Sequence, residues 1–266
     1  SRSVVRDLFD ARGSARMYSF LMLVTGLAPI TAPLIGGQII ATAGWRAIFW
    51  LLCGFGLLCV ALVLFGLPET LPRERRVSAG LGQALATYVR LLADRQFLGY
   101  ALAGGCVFAG MFAYISGSPF VLIELYGVAP ERFGWVFGAN ALGLVAASQL
   151  NRRLLARWGS DTILLARLGL SCVAGLLLLA VAATGFGGLP GLLAPLFICI
   201  ASVGLVTPNS SAGAMAPHGA VAGSASALLG TLQFVVGALA GALVGAWHAS
   251  SAVPMAAVIA GCMLAA

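Results

Sequence analysis

Leu168-Gly169-Leu170-Ser171-Cys172-Val173-Ala174-Gly175-Leu176-Leu177-Leu178-Leu179-Ala180-Val181-Ala182-Ala183-Thr184 opens a run that reaches Ala266 without one Asp, Glu, Lys or Arg. A hydrocarbon core about 30 Å thick needs about 20 apolar residues per helix. The 99 residues of 168–266 are therefore enough for four crossings. Shorter uncharged runs at 17–45, 47–68, 96–123 and 133–151 allow one each. Of the 266 residues, 61% belong to the set AVILMFWYC, 35 more are Gly, and only 9% are charged. Soluble domains carry about 25% charged residues, so this chain cannot cover a water-facing surface. Soluble enzymes, nucleic-acid modules and secreted disulfide scaffolds are excluded together. Transmembrane strands need about 9–11 residues of alternating polarity, which these runs lack, and the fold class is all-α integral membrane.

Turn chemistry divides the runs into eight segments: 17–41, 47–67, 97–118, 133–150, 164–184, 189–208, 222–246 and 253–266. The breaks fall at Thr42-Ala43-Gly44, 68–72, 126–130, Trp158-Gly159-Ser160, 185–191, Pro217-His218-Gly219 and 250–254. Residues 1–9 start without Met and read as the tail of a preceding helix, while the eighth segment stops after 14 residues. Both ends are expected to be cut, making the chain a fragment.

The net charge of +7 arises from fifteen Arg, no Lys and eight acids. It is not a nucleic-acid footprint, because the arginines alternate between the flanks of successive segments. Arg2, Arg6, Arg12 and Arg16 precede the first segment, and Arg46 alone follows it. Arg73, Arg75, Arg76, Arg90 and Arg95 come next, then Arg132 alone, then Arg152, Arg153, Arg157 and Arg167. Thirteen fall on one side and two on the other. The positive-inside rule places the start of the chain and the loops 68–96 and 151–163 in the cytoplasm.

Residues 68–96 are the one long charged connection. After Pro68-Glu69-Thr70-Leu71-Pro72 and the run at 73–76, an amphipathic stretch sets Leu81, Leu85, Val89 and Leu92 against Gln83, Thr87, Arg90 and Asp94. Such a helix is expected in the cytoplasmic interface. It divides residues 1–67, the end of one helix bundle, from residues 97–266, a second bundle. Two segments precede it and six follow, so matched halves imply twelve helices in the intact protein.

Thr25-Gly26-Leu27-Ala28-Pro29-Ile30-Thr31-Ala32-Pro33-Leu34-Ile35-Gly36-Gly37 sets Thr25, Pro29, Pro33 and Gly37 at steps of four, hence on one helix face. Each proline removes a helix hydrogen bond, and the glycines let another helix approach closely. By pattern, this is either a packing and hinge element of a moving bundle or ordinary membrane-helix packing.

The string resembles the antiporter motif on the fifth helix of the major facilitator superfamily, in which a Gly-Pro pair precedes a Gly-Gly pair. Ala32 stands where the general motif has Gly. Several further stretches are similar to the Bcr/CflA family of bicyclomycin-resistance-type drug:proton antiporters. They are Arg6-Asp7, residues 22–37, Gly44-Trp45-Arg46-Ala47-Ile48-Phe49-Trp50, residues 67–72, and Phe108-Ala109-Gly110-Met111-Phe112 leading into Ser118-Pro119-Phe120-Val121. Phe133-Gly134 with Asn140, and Pro217-His218 followed by residues 223–231, extend the likeness. The resemblance implies a major facilitator fold with about eight of twelve helices present. Residues 1–67 would hold the tail of helix four with helices five and six, and residues 97–266 helices seven to twelve, the last truncated. Parallel repeats of the halves imply that helix eleven echoes helix five, and Gly230, Gly237, Gly241 and Gly245 supply such a small-residue face. The glycine and proline faces of helices five and eleven would form the sliding contact between halves. Arg157-Trp158-Gly159 resembles a worn copy of the loop between helices two and three.

Polar side chains at membrane depth are costly and face a cavity or another helix. The candidates are Thr25, Thr31, Gln38, Asn140, Gln149, Asn209 and Gln233. The resemblance puts Asn140, Asn209 and Gln233 on cavity-lining helices eight, ten and eleven. Phe108, Met111, Phe112 and Tyr114 on helix seven would add an adaptable apolar wall. For each one, an interhelical hydrogen bond or core packing is the alternative role.

No carboxylate or His lies at mid-depth in a segment, so the proton-coupling residue is expected in helices one to four. Asp7 reads as an ion-pair partner of Arg6 or Arg12, Glu124 as a loop acid, Arg46 as an interfacial anchor beside Trp45 and Trp50, and His218 and His248 as loop residues. The six cysteines, Cys53, Cys59, Cys106, Cys172, Cys199 and Cys262, lie within segments without metal-binding spacing. No metal, cofactor or nucleic-acid partner is expected. The expected partners are the lipid bilayer, a drug-like small molecule and protons, the oligomeric state a monomer, and the location the bacterial cytoplasmic (inner) membrane. The competing readings are a major-facilitator importer or facilitator of a metabolite and, from another class, a membrane-embedded enzyme or receptor, which would need a catalytic constellation at depth.

Overall fold

The computed structural model describes residues 32, 35–40, 42–66, 81–247 and 250–266. It divides into two compact units, Ser1–Ser78 and Ala79–Ala266, and among the described residues every regular element is helical. Among the described residues, six helices are long and apolar enough to cross a membrane.

In the first unit the described part centres on α1, Trp45–Gly66. Gly44 takes φ +75°, and its N–H reaches the Ile40 carbonyl at 3.1 Å, closing the preceding helical stretch. This left-handed stop is the glycine use that ends helices, and it confirms the break read at Thr42-Ala43-Gly44. The Arg46 guanidinium lies 4.6 Å from the centre of the Trp45 ring, and Trp45 meets Phe49 edge-on at 5.8 Å. The arginine is thus held by an aromatic face. α1 buries no residue within the unit.

The second unit begins with α2, Leu81–Ala93, followed by α3, Arg95–Pro119, which continues as a π-helical turn, Phe120–Leu125. Then come α4, Pro130–Leu154; α5, Ser160–Thr184; and α6, Gly188–Met215. A 3-10 link, Ala216–Val221, leads into α7, Ala222–Ala246, and α8 is Val253–Ala265. α3 is the hub, packed by α7, α6 and α8, while α6 also carries α4 and α5. Tyr114, Leu178, Leu196, Leu205, Met255 and Ile259 are among the largest fully buried side chains. The starts of α3 and α5 and the ends of α4 and α6 share one end of the unit, which also holds Arg95, Arg152 and Arg153. Two contacts between these helix ends show it: Tyr100 to Asp161, and Ser160 to Asn209.

Four features differ from the sequence reading. First, α6 runs through Pro208 to Met215 rather than stopping at 208. Proline cannot donate to the carbonyl four residues back, here that of Gly204. Ser148 of α4 supplies the missing donor, its Oγ reaching the Gly204 carbonyl at 3.1 Å. Gly204 lacks the Cβ that would run into the Leu144 carbonyl oxygen, so the close crossing repairs the kink. Second, α2 also meets the bundle, Tyr88 and Leu91 joining a cluster with Phe97 and Leu228, a contact the amphipathic pattern did not indicate; Leu85, Val89 and Leu92 are exposed. Third, Asp94 is not on the polar side of that helix but is the N-cap of α3, accepting from the Gln96 and Phe97 amides at 2.8 and 3.3 Å. Fourth, α5 begins at Ser160, so Arg167 lies about two turns inside the helix instead of on its flank.

Candidate functional site: an aromatic corner above a polar clamp

α3 presents Phe108, Met111 and Phe112, all half-buried, along one stripe. Phe108 and Phe112 are tilted neighbours at 5.2 Å. α7 contributes Phe234, edge-on to Phe108 at 5.6 Å and to Phe112 at 6.0 Å. This edge-to-face geometry sets positive ring edges against negative ring faces, fixing three rings from two helices at one corner. α7 reaches that corner because Gly237 has no Cβ: one would stand 3.2 Å from the Phe112 ring. At Gly241 it would meet Ser116 Oγ of α3 at 2.8 Å, whereas Gly245 has open space. Gly237 and Gly241 therefore do pack helices, but their face turns inward to α3, not outward as a sliding surface.

Tyr114 and Asn140 meet between α3 and α4. Asn140 Nδ2 donates to the Tyr114 hydroxyl and to the Val136 carbonyl, both at 3.2 Å, and Phe137 stacks on the Tyr114 ring at 5.4 Å. Tyr114 is 2% and Asn140 4% exposed. The structure joins these two expected site residues to each other rather than presenting them to an open cavity. Asn140 keeps its carbonyl oxygen, and Tyr114 its hydroxyl proton, uncommitted to any described residue.

Asn209 differs more from expectation. Its Oδ1 accepts from Ser160 Oγ at 2.9 Å. Its Nδ2 donates to Asn151 Oδ1 and to the Leu205 carbonyl, both at 2.7 Å. The residue is 2% exposed, so its amide is spent on clamping α4, α5 and α6 at the arginine-bearing end. Tyr100 adds a bond from α3, its hydroxyl donating to Asp161 Oδ1 at 2.7 Å. Half-buried Gln233 sits where α7 crosses α3, its Cα 4.0 Å from where a Cβ on Gly105 would stand.

Gly26, Pro29 and Pro33, with Thr25, Thr31 and His248, lie outside the described residues. Gly36 and Gly37 lie in a described helical stretch with open space beside them. His218 Nε2 lies 3.2 Å from Asp94 Oδ2, outside hydrogen-bond alignment, and its ring meets Phe97 edge-on at 5.6 Å, which ties the α6–α7 link to the start of α3. The sequence reading missed Phe234, Ser148, Asn151 and Ser160. Helical spacing could have flagged only Phe234, the one aromatic of its helix.

The profile of the Major Facilitator Superfamily matches residues 1–262. The chain belongs to the major facilitator superfamily. This superfamily member is a multi-pass membrane protein of a transporter family, not an enzyme. It is 38% identical over 264 residues to an uncharacterized MFS-type transporter, YdgK, of Bacillus subtilis, covering 97% of this chain and 64% of that protein. It is 33% identical over 255 residues to a bicyclomycin resistance protein homolog of Haemophilus influenzae, covering 96% of this chain and 64% of the relative. The chain thus spans under two thirds of the length of these relatives. A crystal structure of a bacterial homolog of the human lysosomal transporter Spinster, inward-facing and unoccupied, shares the fold. Its TM-score is 0.60 at 17% identity, over 92% of this chain and 59% of that one.

Proposed function

We propose that this chain belongs to a Bcr/CflA-type exporter that moves drug-like small molecules across the bacterial cytoplasmic membrane in exchange for protons. The observation that carries the reading is its similarity, over nearly its whole length, to a protein named for bicyclomycin resistance. The aromatic corner of Phe108, Phe112 and Phe234 supports it, since rings with adaptable Met111 beside them suit varied apolar cargo. The string at 26–37, with Ala32-Pro33 in place of the motif's Gly-Pro pair ahead of Gly36-Gly37, supports exchange over simple import through its resemblance to the antiporter motif.

In this reading Ala79–Ala266 belongs to one half of an alternating-access pair, and the Asn209 clamp and the Tyr100–Asp161 bond keep that half rigid while it rocks. Tyr114 and Asn140, buried against each other, brace α3 against α4 behind the aromatic corner, and Gln233 offers an amide to cargo at the α3–α7 crossing. Proton coupling requires a group that titrates within the membrane. Among the described residues, Asp94, Glu131 and Asp161 stand at helix starts and Glu124 at the end of its span rather than at mid-depth, so coupling is assigned to the part of the protein preceding helix five.

The test is expression of the gene carrying this sequence in a drug-sensitive strain. Raised tolerance to bicyclomycin or another small drug, with lower cellular accumulation, is the expected result. Unchanged tolerance across a broad panel at normal membrane abundance would overturn the reading, and higher accumulation would indicate import.

A further inference from the structure

Residues 200–247 contain one side chain that can take up a proton, His218. It sits in the 3-10 link between α6 and α7, where its own backbone leaves helical geometry at φ −108° and ψ 30°. Its Nε2 is buried without a hydrogen-bond partner, although Asp94 Oδ2 stands 3.2 Å away. Asp94 is anchored at the corner between α2 and α3. Its N–H bonds to the Arg90 and Leu91 carbonyls, and its Oδ1 accepts the Gln96 and Phe97 amides, which leaves Oδ2 to face His218. The imidazole is anchored too, edge-on at 5.6 Å to Phe97, itself fully buried. Val221, at the end of the same link, packs in one cluster with Tyr88 of α2, Phe97 of α3 and Leu228 of α7.

A buried nitrogen without a partner is costly in a neutral imidazole. An imidazolium carries N–H on both nitrogens, and a small turn of the ring aims Nε2–H at a carboxylate already held in place. Charge-assisted bonds of this kind are about twice as strong as neutral ones. The surroundings add little competing charge. Arg90 of α2 and Arg95 of α3 flank Asp94 in sequence but are exposed, and Tyr88 is half-buried. Tyr100 of α3 is bonded to Asp161, and α6 beyond Cys199 and all of α7 bring no titratable group.

We propose that His218 and Asp94 form a pH-operated latch at the arginine-bearing end of the bundle, in which protonation of His218 closes an ion pair that pins the α6–α7 link to the α2–α3 corner. Histidine is the side chain that ordinarily changes charge between pH 5 and 8. The latch is therefore closed on the acid side of that range and opens as pH rises through it. By the positive-inside rule this end faces the cytoplasm, so the latch reads cytoplasmic pH, whatever cargo the bundle carries.

Hydrogen exchange of the full-length protein in detergent reads the link directly. Amide protection at residues 218–222, corrected for the intrinsic exchange rate at each pH, is compared at about pH 5.5 and about pH 8, either side of the histidine range. The two side chains are 16% and 35% exposed, so the native protein should lose protection about two- to fivefold at the higher pH, the size of a partly exposed ion pair. His218→Gln, neutral throughout, should show the lower protection at both pH values. Asp94→Asn keeps a capping oxygen for the start of α3 but removes the negative charge. It should abolish the step at the link while residues 96–98 keep their native protection. Equal link protection of the native protein at the two pH values would overturn the inference, as would a full step surviving in either variant.

Discussion

Replacing Asn209 with Ala separates two roles that one buried amide can play. The substitution removes the acceptor of Ser160 Oγ at 2.9 Å and the donor to Asn151 Oδ1 at 2.7 Å. Interhelical hydrogen bonds in membrane bundles average about 0.6 kcal/mol, so the two contribute about 1.2 kcal/mol. Asn151, 4% exposed, would keep a buried oxygen with no donor, which costs about 1–3 kcal/mol. The sum is about 2–4 kcal/mol, enough to lower the thermal midpoint of detergent-purified protein by several degrees. Asn209→Asp should also destabilise, since it keeps the acceptor for Ser160 but sets a second oxygen against Asn151. The assay is thermal unfolding of each variant beside transport per molecule in the membrane. A clamp predicts a lower midpoint with similar losses for every cargo. An unchanged midpoint with transport lost for some cargos only would refute the clamp and return Asn209 to the substrate cavity.

Gly204→Ala should lower stability by about 1–3 kcal/mol through overpacking, because the new Cβ runs into the Leu144 carbonyl. Ser148→Ala should cost about 0.5–1.5 kcal/mol by taking the donor from the Gly204 carbonyl, and thermal unfolding reads both. Tyr114→Phe removes the hydroxyl that Asn140 donates to at 3.2 Å; the expected loss is about 0.5–1.5 kcal/mol by the same measurement. Reporter fusions at Ala43 and Arg75 should report opposite sides of the membrane, and the same side for both would sink the arginine-based topology.

The spans were legible because an uncharged run of sufficient length has little alternative to crossing a bilayer. Phe108, Phe112, Tyr114 and Asn140 could be proposed from their type and depth together with the family resemblance, and the structure brings them together in two groups. What was hidden depends on partners distant in sequence. Asn209 looked like a cavity residue because its partner Asn151 lies 58 positions away. Pro208 looked like a helix end because Ser148, on another helix, replaces the lost donor. Gly237 and Gly241 carried the spacing of a packing face, but spacing does not say which neighbour the face meets. On α2 the apolar spacing picked out Leu85, Val89 and Leu92, while the bundle contact of Tyr88 and Leu91 depends on helices far along the chain.

The central claim is exchange of drug against protons, and drug-driven proton flux tests it most directly. Inside-out membrane vesicles containing the protein are acidified internally by respiration and followed with a pH-sensitive dye. Adding bicyclomycin or chloramphenicol should let protons leave as drug enters, raising luminal pH only where the protein is present. Drug uptake that proceeds equally after a protonophore has collapsed the gradient, with no luminal pH change, would contradict the account.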